Sequence, residues 1–80
     1  MKISAIKKLV ANYSADELED AELLLLEEKP IKIEVEGDDD GEQLTHIFAA
    51  VFILEEMEKS DVDFKTALRR YTEKVRNSIS

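Results

Sequence analysis

The run Gly37-Asp38-Asp39-Asp40-Gly41 and the pair Glu42 and His46 are the residues of this chain whose types and spacing could do chemistry. Carboxylates clustered around a glycine are what a calcium loop uses. With Gly41 at the sixth position of an EF-hand loop, Glu36, Asp38 and Asp40 fall at the first, third and fifth. The twelfth position is then Ile47, where a bidentate glutamate is required. The alignment fails at the residue that makes the affinity. The run reads instead as a solvated turn with aspartates near a helix N-terminus.

His46 is the only histidine and follows Glu42 by one helical turn. One imidazole and one carboxylate fall short of the three or four ligands a zinc site takes. General-base work needs a nucleophile or a substrate pocket, and the sequence shows neither. The other carboxylates are too many and too evenly spread to single out an acid–base pair. No Gly-rich phosphate loop, nucleophile elbow or zinc signature is present. The reading is therefore not an enzyme, with no cofactor and no metal, and with His46 beside a dimer contact.

The elements that would position these residues follow from periodicity and punctuation. Ile3, Ile6, Leu9, Val10 and Tyr13 share one helical face over residues 3–12. Ser14 and Glu17 form a capping box for a second helix, whose inner stripe is Leu18, Ala21 and Leu25. Leu23 points nearly the opposite way, so it is exposed or meets another chain. Lys29-Pro30 ends this helix. The segment Ile31-Lys32-Ile33-Glu34-Val35-Glu36 alternates apolar and charged residues with period 2 and reads as the one β-strand. A third helix is expected from about Glu42 to Lys59. Its centre, residues 47–54, is apolar throughout, so it must be covered on more than one side. Leu44, Ile47, Phe48, Val51 and Leu54 make its main face; Ala50, Ile53 and Met57 make a second. A fourth helix, capped by Asp61 or Asp63, carries the stripe Phe64, Ala67, Leu68, Tyr71 and Val75, extended by Ile79.

These elements predict a mostly α fold in a single domain over residues 1–80: four helices and one short strand. Backbone donors and acceptors of a lone strand need partners. The predicted partner is the same strand of a second copy across a homodimer two-fold axis. Ile31, Ile33 and Val35, with His46, Ala50, Ile53 and Met57, would form the interface. A domain of 80 residues buries only about 60% of its unfolded surface, so pairing would also aid stability.

Charge narrows the partners. Residues 14–42 hold 13 acids and two lysines, a net of −11, against −8 for the whole chain. Such a field opposes nucleic acid and anionic membranes. It suits a basic protein partner, or solubility alone. Glu34, Glu36, Asp38, Asp39 and Asp40 are the expected partner-facing surface. Lys65, Arg69 and Arg76 lie along one flank of the last helix, where they offset the acids. There is no cysteine, and no apolar run long enough for a secretory signal or a membrane span. The expected location is the cytoplasm.

Two resemblances bear on this. The order strand, helix, helix from residue 31 is similar to ribbon-helix-helix repressors, in which a two-stranded ribbon enters the major groove. Here the outward ribbon residues would be Lys32, Glu34 and Glu36, and carboxylates are repelled by phosphate. A repressor-like regulator using the basic flank of the last helix is the alternative function, with a metal-binding protein behind it. The stretches Ile6-Lys7-Lys8-Leu9-Val10, Gly41-Glu42-Gln43-Leu44-Thr45-His46, Phe64-Lys65-Thr66-Ala67-Leu68 and Val75-Arg76-Asn77-Ser78-Ile79 resemble a family of small uncharacterised bacterial proteins, a domain of unknown function. That resemblance implies a bacterial cytosolic protein and transfers no catalytic motif. The function expected is a small acidic, homodimeric interaction or regulatory module.

Overall fold

Ser14 starts a helix because its hydroxyl and the Glu17 carboxylate satisfy two backbone donors. The Glu17 N–H donates to Ser14 Oγ at 3.2 Å, and the Ser14 N–H donates to Glu17 Oε1 at 3.0 Å. The computed structural model describes residues 2–79, apart from the side chain of Ile79, so that end of the predicted stripe lies outside the described residues. It contains α1 (Ile3–Asn12), α2 (Ala15–Leu26), α3 (Asp40–Ser60) and α4 (Phe64–Ile79). Asp39 caps α3, its Oδ1 accepting from the Glu42 N–H at 2.8 Å. Asp63, rather than Asp61, caps α4 through the Thr66 N–H at 2.9 Å. Asp61 instead ends α3 in the left-handed region, with φ 53°. No helix is long and apolar enough to cross a membrane among the described residues.

The long helix α3 lies at the centre and packs against each of the other three. Ile6 of α1, Leu18 of α2, and Ile47 and Ile53 of α3 are fully buried. Each contributes about 1.5–3 kcal/mol by leaving water. Ile3 departs from the predicted inner face of α1 and is 54% exposed, while Ala5 is buried in its place.

Two sequence expectations are corrected. First, residues 31–36 form no strand; among the described residues there is none. The alternation is real: Val35 is buried, Ile31 and Ile33 are half-buried, and Lys32, Glu34 and Glu36 are exposed. But the backbone finds side chains rather than a second strand. The Glu34 N–H donates to the Tyr13 hydroxyl at 3.3 Å, and the Glu36 carbonyl accepts from His46. The segment is irregular chain, bent at Lys32 and Ile33 and laid over the helices of its own molecule. The ribbon across a two-fold axis, and with it the repressor-like topology, has no structural basis.

Second, His46, Ala50 and Ile53 need no partner subunit to cover them. All three are fully buried within one chain, and Met57 is half-buried. Both apolar faces of α3 are covered within the one chain, for Ile47 of the main face is as buried as Ile53 of the second. The supposed second face is turned into the fold, and Phe48 of the supposed main face is 42% exposed.

Candidate functional site

His46 is tied on both ring nitrogens. The Lys2 N–H donates to its Nε2 at 3.0 Å, so that nitrogen offers a lone pair. Its Nδ1 lies 2.7 Å from the Glu36 carbonyl oxygen, which can only accept, so Nδ1 carries the proton. The ring thereby joins the start of α1, the end of the 31–36 segment and the second turn of α3. Glu42, the carboxylate one turn away, takes no part in this arrangement. Among the described residues no group of three or more His, Cys, Asp or Glu side chains could hold a metal ion.

The acidic turn has structural uses. Asp39 is a helix cap, and Gly37 adopts φ 154° where a Cβ would stand 2.8 Å from Gln43 Cγ and 2.9 Å from its backbone nitrogen. Glu36 pairs with Lys8 at 3.1 Å, which pins the segment to α1. Both partners are substantially exposed, so the pair is worth at most about 1 kcal/mol. Glu34, Asp38 and Asp40 face solvent with Glu36 and Asp39.

The 31–36 segment also builds something the sequence did not disclose. Between it and α2 runs an open groove of about 410 Å³. Ala21, Leu23 and Leu24 of α2 and Ile33 of the segment give it apolar surface. Glu17, Asp20 and Glu27 stand along the α2 side, and Lys32 comes from the opposite wall. Leu23 is 59% exposed. Helical phase alone gives the outward direction of Leu23, but nothing in the sequence places Ile33 beside it. On the far side of the same segment lies a smaller hollow of about 140 Å³, lined by Lys8, Asn12, Tyr13, Glu34 and Glu36 among others.

The α3–α4 pair is held separately. Arg70 donates to Glu56 Oε1 at 2.8 Å, and this hydrogen bond is the main cause that holds the Glu56 carboxyl below its ordinary range. Phe52 and Tyr71 meet at 5.4 Å with rings tilted by 55°, and Lys74 Nζ sits 5.0 Å from the Phe52 ring centre. Burial pushes the Tyr71 phenol upward. Glu22 on α2 is likewise raised, by partial burial and then by Glu19.

Fold and site together define a small all-helical protein with an acid-lined surface groove and a structural histidine. The chain belongs to the family of unknown function DUF6952, whose family profile matches residues 1–80. The resemblance to an uncharacterised family is thus shown over the whole chain. No curated protein and no solved structure matches it.

Proposed function

We propose that this protein is a non-catalytic interaction module of the bacterial cytoplasm that presents its acidic half to a basic protein partner. One observation carries the reading. Of the 13 acids in residues 14–42, all but Glu22 and Glu42 are exposed, and only Glu27 and Glu36 enter ion pairs among the described residues. The fold leaves this charge for others to neutralise. Because His46 spends both nitrogens on backbone groups, the residue best suited to acid–base or metal chemistry is committed to structure. Fluorescence anisotropy with polylysine, and with duplex and single-stranded DNA of random sequence, tests the reading. Polylysine should bind with an affinity that falls as salt rises. Micromolar or tighter DNA binding with steep salt dependence would overturn it.

A second reading concerns self-association. One turn beyond the Phe52–Tyr71 contact lie Phe48 on α3 and Val75 on α4, 42% and 40% exposed. This apolar surface supports homodimer contact through the α3–α4 face, not through residues 31–36. Phe48→Ser should lower the mass measured by sedimentation equilibrium; a wild-type protein that is monomeric at tens of micromolar contradicts it.

A further inference from the structure

The geometry points to the groove between α2 and residues 31–33 as a docking site for a cationic amphipathic helix, seated with its basic flank along α2. This rests on the acidic-surface reading and goes further, because it names a place, a secondary structure and an orientation. The groove has an apolar surface formed by Ala21, Leu23, Leu24 and Ile33. A helix with apolar residues on one stripe fills such a surface by placing anchors at successive turns. The charges on the two sides differ in sign. By helical phase Glu17, Asp20 and the C-cap residue Glu27 fall between Ala21 and Leu23 on the α2 wall, interleaved with Leu24, whereas Lys32 stands on the other wall. An occupant with lysine or arginine on both flanks would meet repulsion at Lys32. The complementary occupant is basic on the α2 side and acidic or neutral on the Lys32 side. Charge of this pattern sets orientation and encounter rate, while the leucines hold the bound state.

Leu23 is offered to solvent although it is a large apolar side chain on a helix whose Leu18 and Leu25 are buried. Leu26, nearly as exposed at 58%, does not line the groove. It is therefore an internal control of the same residue type on the same helix. Both side chains are more than half exposed, so serine at either position leaves the core intact.

The test uses the full chain and a fluorescent synthetic helix of about five turns, with leucines on one stripe, lysines on one flank and glutamines on the other. Fluorescence anisotropy reads its affinity, with polylysine as the comparison probe. Leu23→Ser should weaken peptide binding about ten-fold or more, and Leu26→Ser should leave it unchanged. Glu17→Gln, Asp20→Asn and Glu27→Gln should each weaken it by roughly two- to five-fold, and Lys32→Glu should not tighten binding of this peptide; with glutamates replacing the glutamines, Lys32→Glu should weaken it by a similar factor. Equal loss in Leu23→Ser and Leu26→Ser, or no loss in either, would overturn the groove. If polylysine binds and the helix shows no Leu23 dependence, the groove fails while the acidic-surface reading stands. If neither probe binds, both fail.

Discussion

Lys2 and His46, forty-four residues apart, meet through a hydrogen bond from the Lys2 backbone N–H to Nε2 of the ring at 3.0 Å. The Lys2 side chain makes no capping hydrogen bond to α1. The imidazole on α3 accepts the N–H of this N-cap residue, and with its other nitrogen holds the Glu36 carbonyl. One buried side chain thus closes two backbone groups that neither helix nor sheet would satisfy.

Removing that ring should be costly. His46→Ala orphans both groups, at about 1–3 kcal/mol each, and leaves a cavity besides. Urea unfolding should show a loss of about 3 kcal/mol or more. A loss below about 1 kcal/mol would mean that water or a relaxed backbone replaces the ring.

Gly37 should resist substitution. Alanine there would place its Cβ 2.8 Å from Gln43 Cγ and 2.9 Å from the Gln43 nitrogen, at a φ of 154° that L residues avoid. The nitrogen belongs to α3 and cannot step aside. Gly37→Ala should destabilise by about 1–3 kcal/mol in thermal or urea unfolding. Unchanged stability would show that the turn opens freely.

Glu28 should be improvable. It sits at φ 59°, just past the end of α2. The Lys29 N–H closes onto the Leu24 carbonyl at 2.8 Å and the Glu28 N–H onto that of Leu25 at 3.0 Å. This is the pattern that favours glycine, and a carboxylate at a helix C-terminus opposes the dipole. Glu28→Gly should raise stability by about 0.5–1 kcal/mol. A loss on this substitution would refute the left-handed assignment.

Arg70 should govern how Glu56 titrates. The hydrogen bond from Arg70 holds the carboxyl below its ordinary range. A carboxyl depressed by folding adds stability that is present above its unfolded pKa and lost as pH falls through the folded one. Arg70→Gln should therefore shift the Glu56 midpoint upward in a carbon-detected NMR titration and flatten the loss of stability in acid. An unmoved midpoint would show that the contact is not kept in solution.

Local signals in the chain were readable, and tertiary ones were not. The Ser14–Glu17 box, the cap at Asp63, the stripe of Leu18, Ala21 and Leu25, and the outward Leu23 follow from patterns within one or two turns. The alternation at residues 31–36 correctly gave one side inward, although the chain bends at Lys32 and Ile33 instead of running as a strand. It could not give the partner, because period 2 reports side-chain burial and says nothing of which group accepts the amides. Tyr13 accepts the Glu34 amide and His46 donates to the Glu36 carbonyl, both from elsewhere in the chain, and no spacing announces that. On α3 the apolar run shows that more than one side must be covered; that α1, α2 and α4 of the same chain cover them, with no second copy, is a matter of tertiary packing. The groove was hidden for the same reason, since Ile33 became its wall only once the segment lay beside α2.

His46 is a structural tie that lays residues 31–36 onto their own chain and leaves the acidic half facing outward. A long-range proton–nitrogen correlation spectrum of the histidine ring at neutral pH is the decisive measurement. It should show a proton on Nδ1, bonded to the Glu36 carbonyl, and a bare Nε2 accepting from Lys2. A ring protonated on Nε2 instead could not accept the Lys2 N–H, and would contradict the arrangement on which the groove and the exposed acidic surface depend.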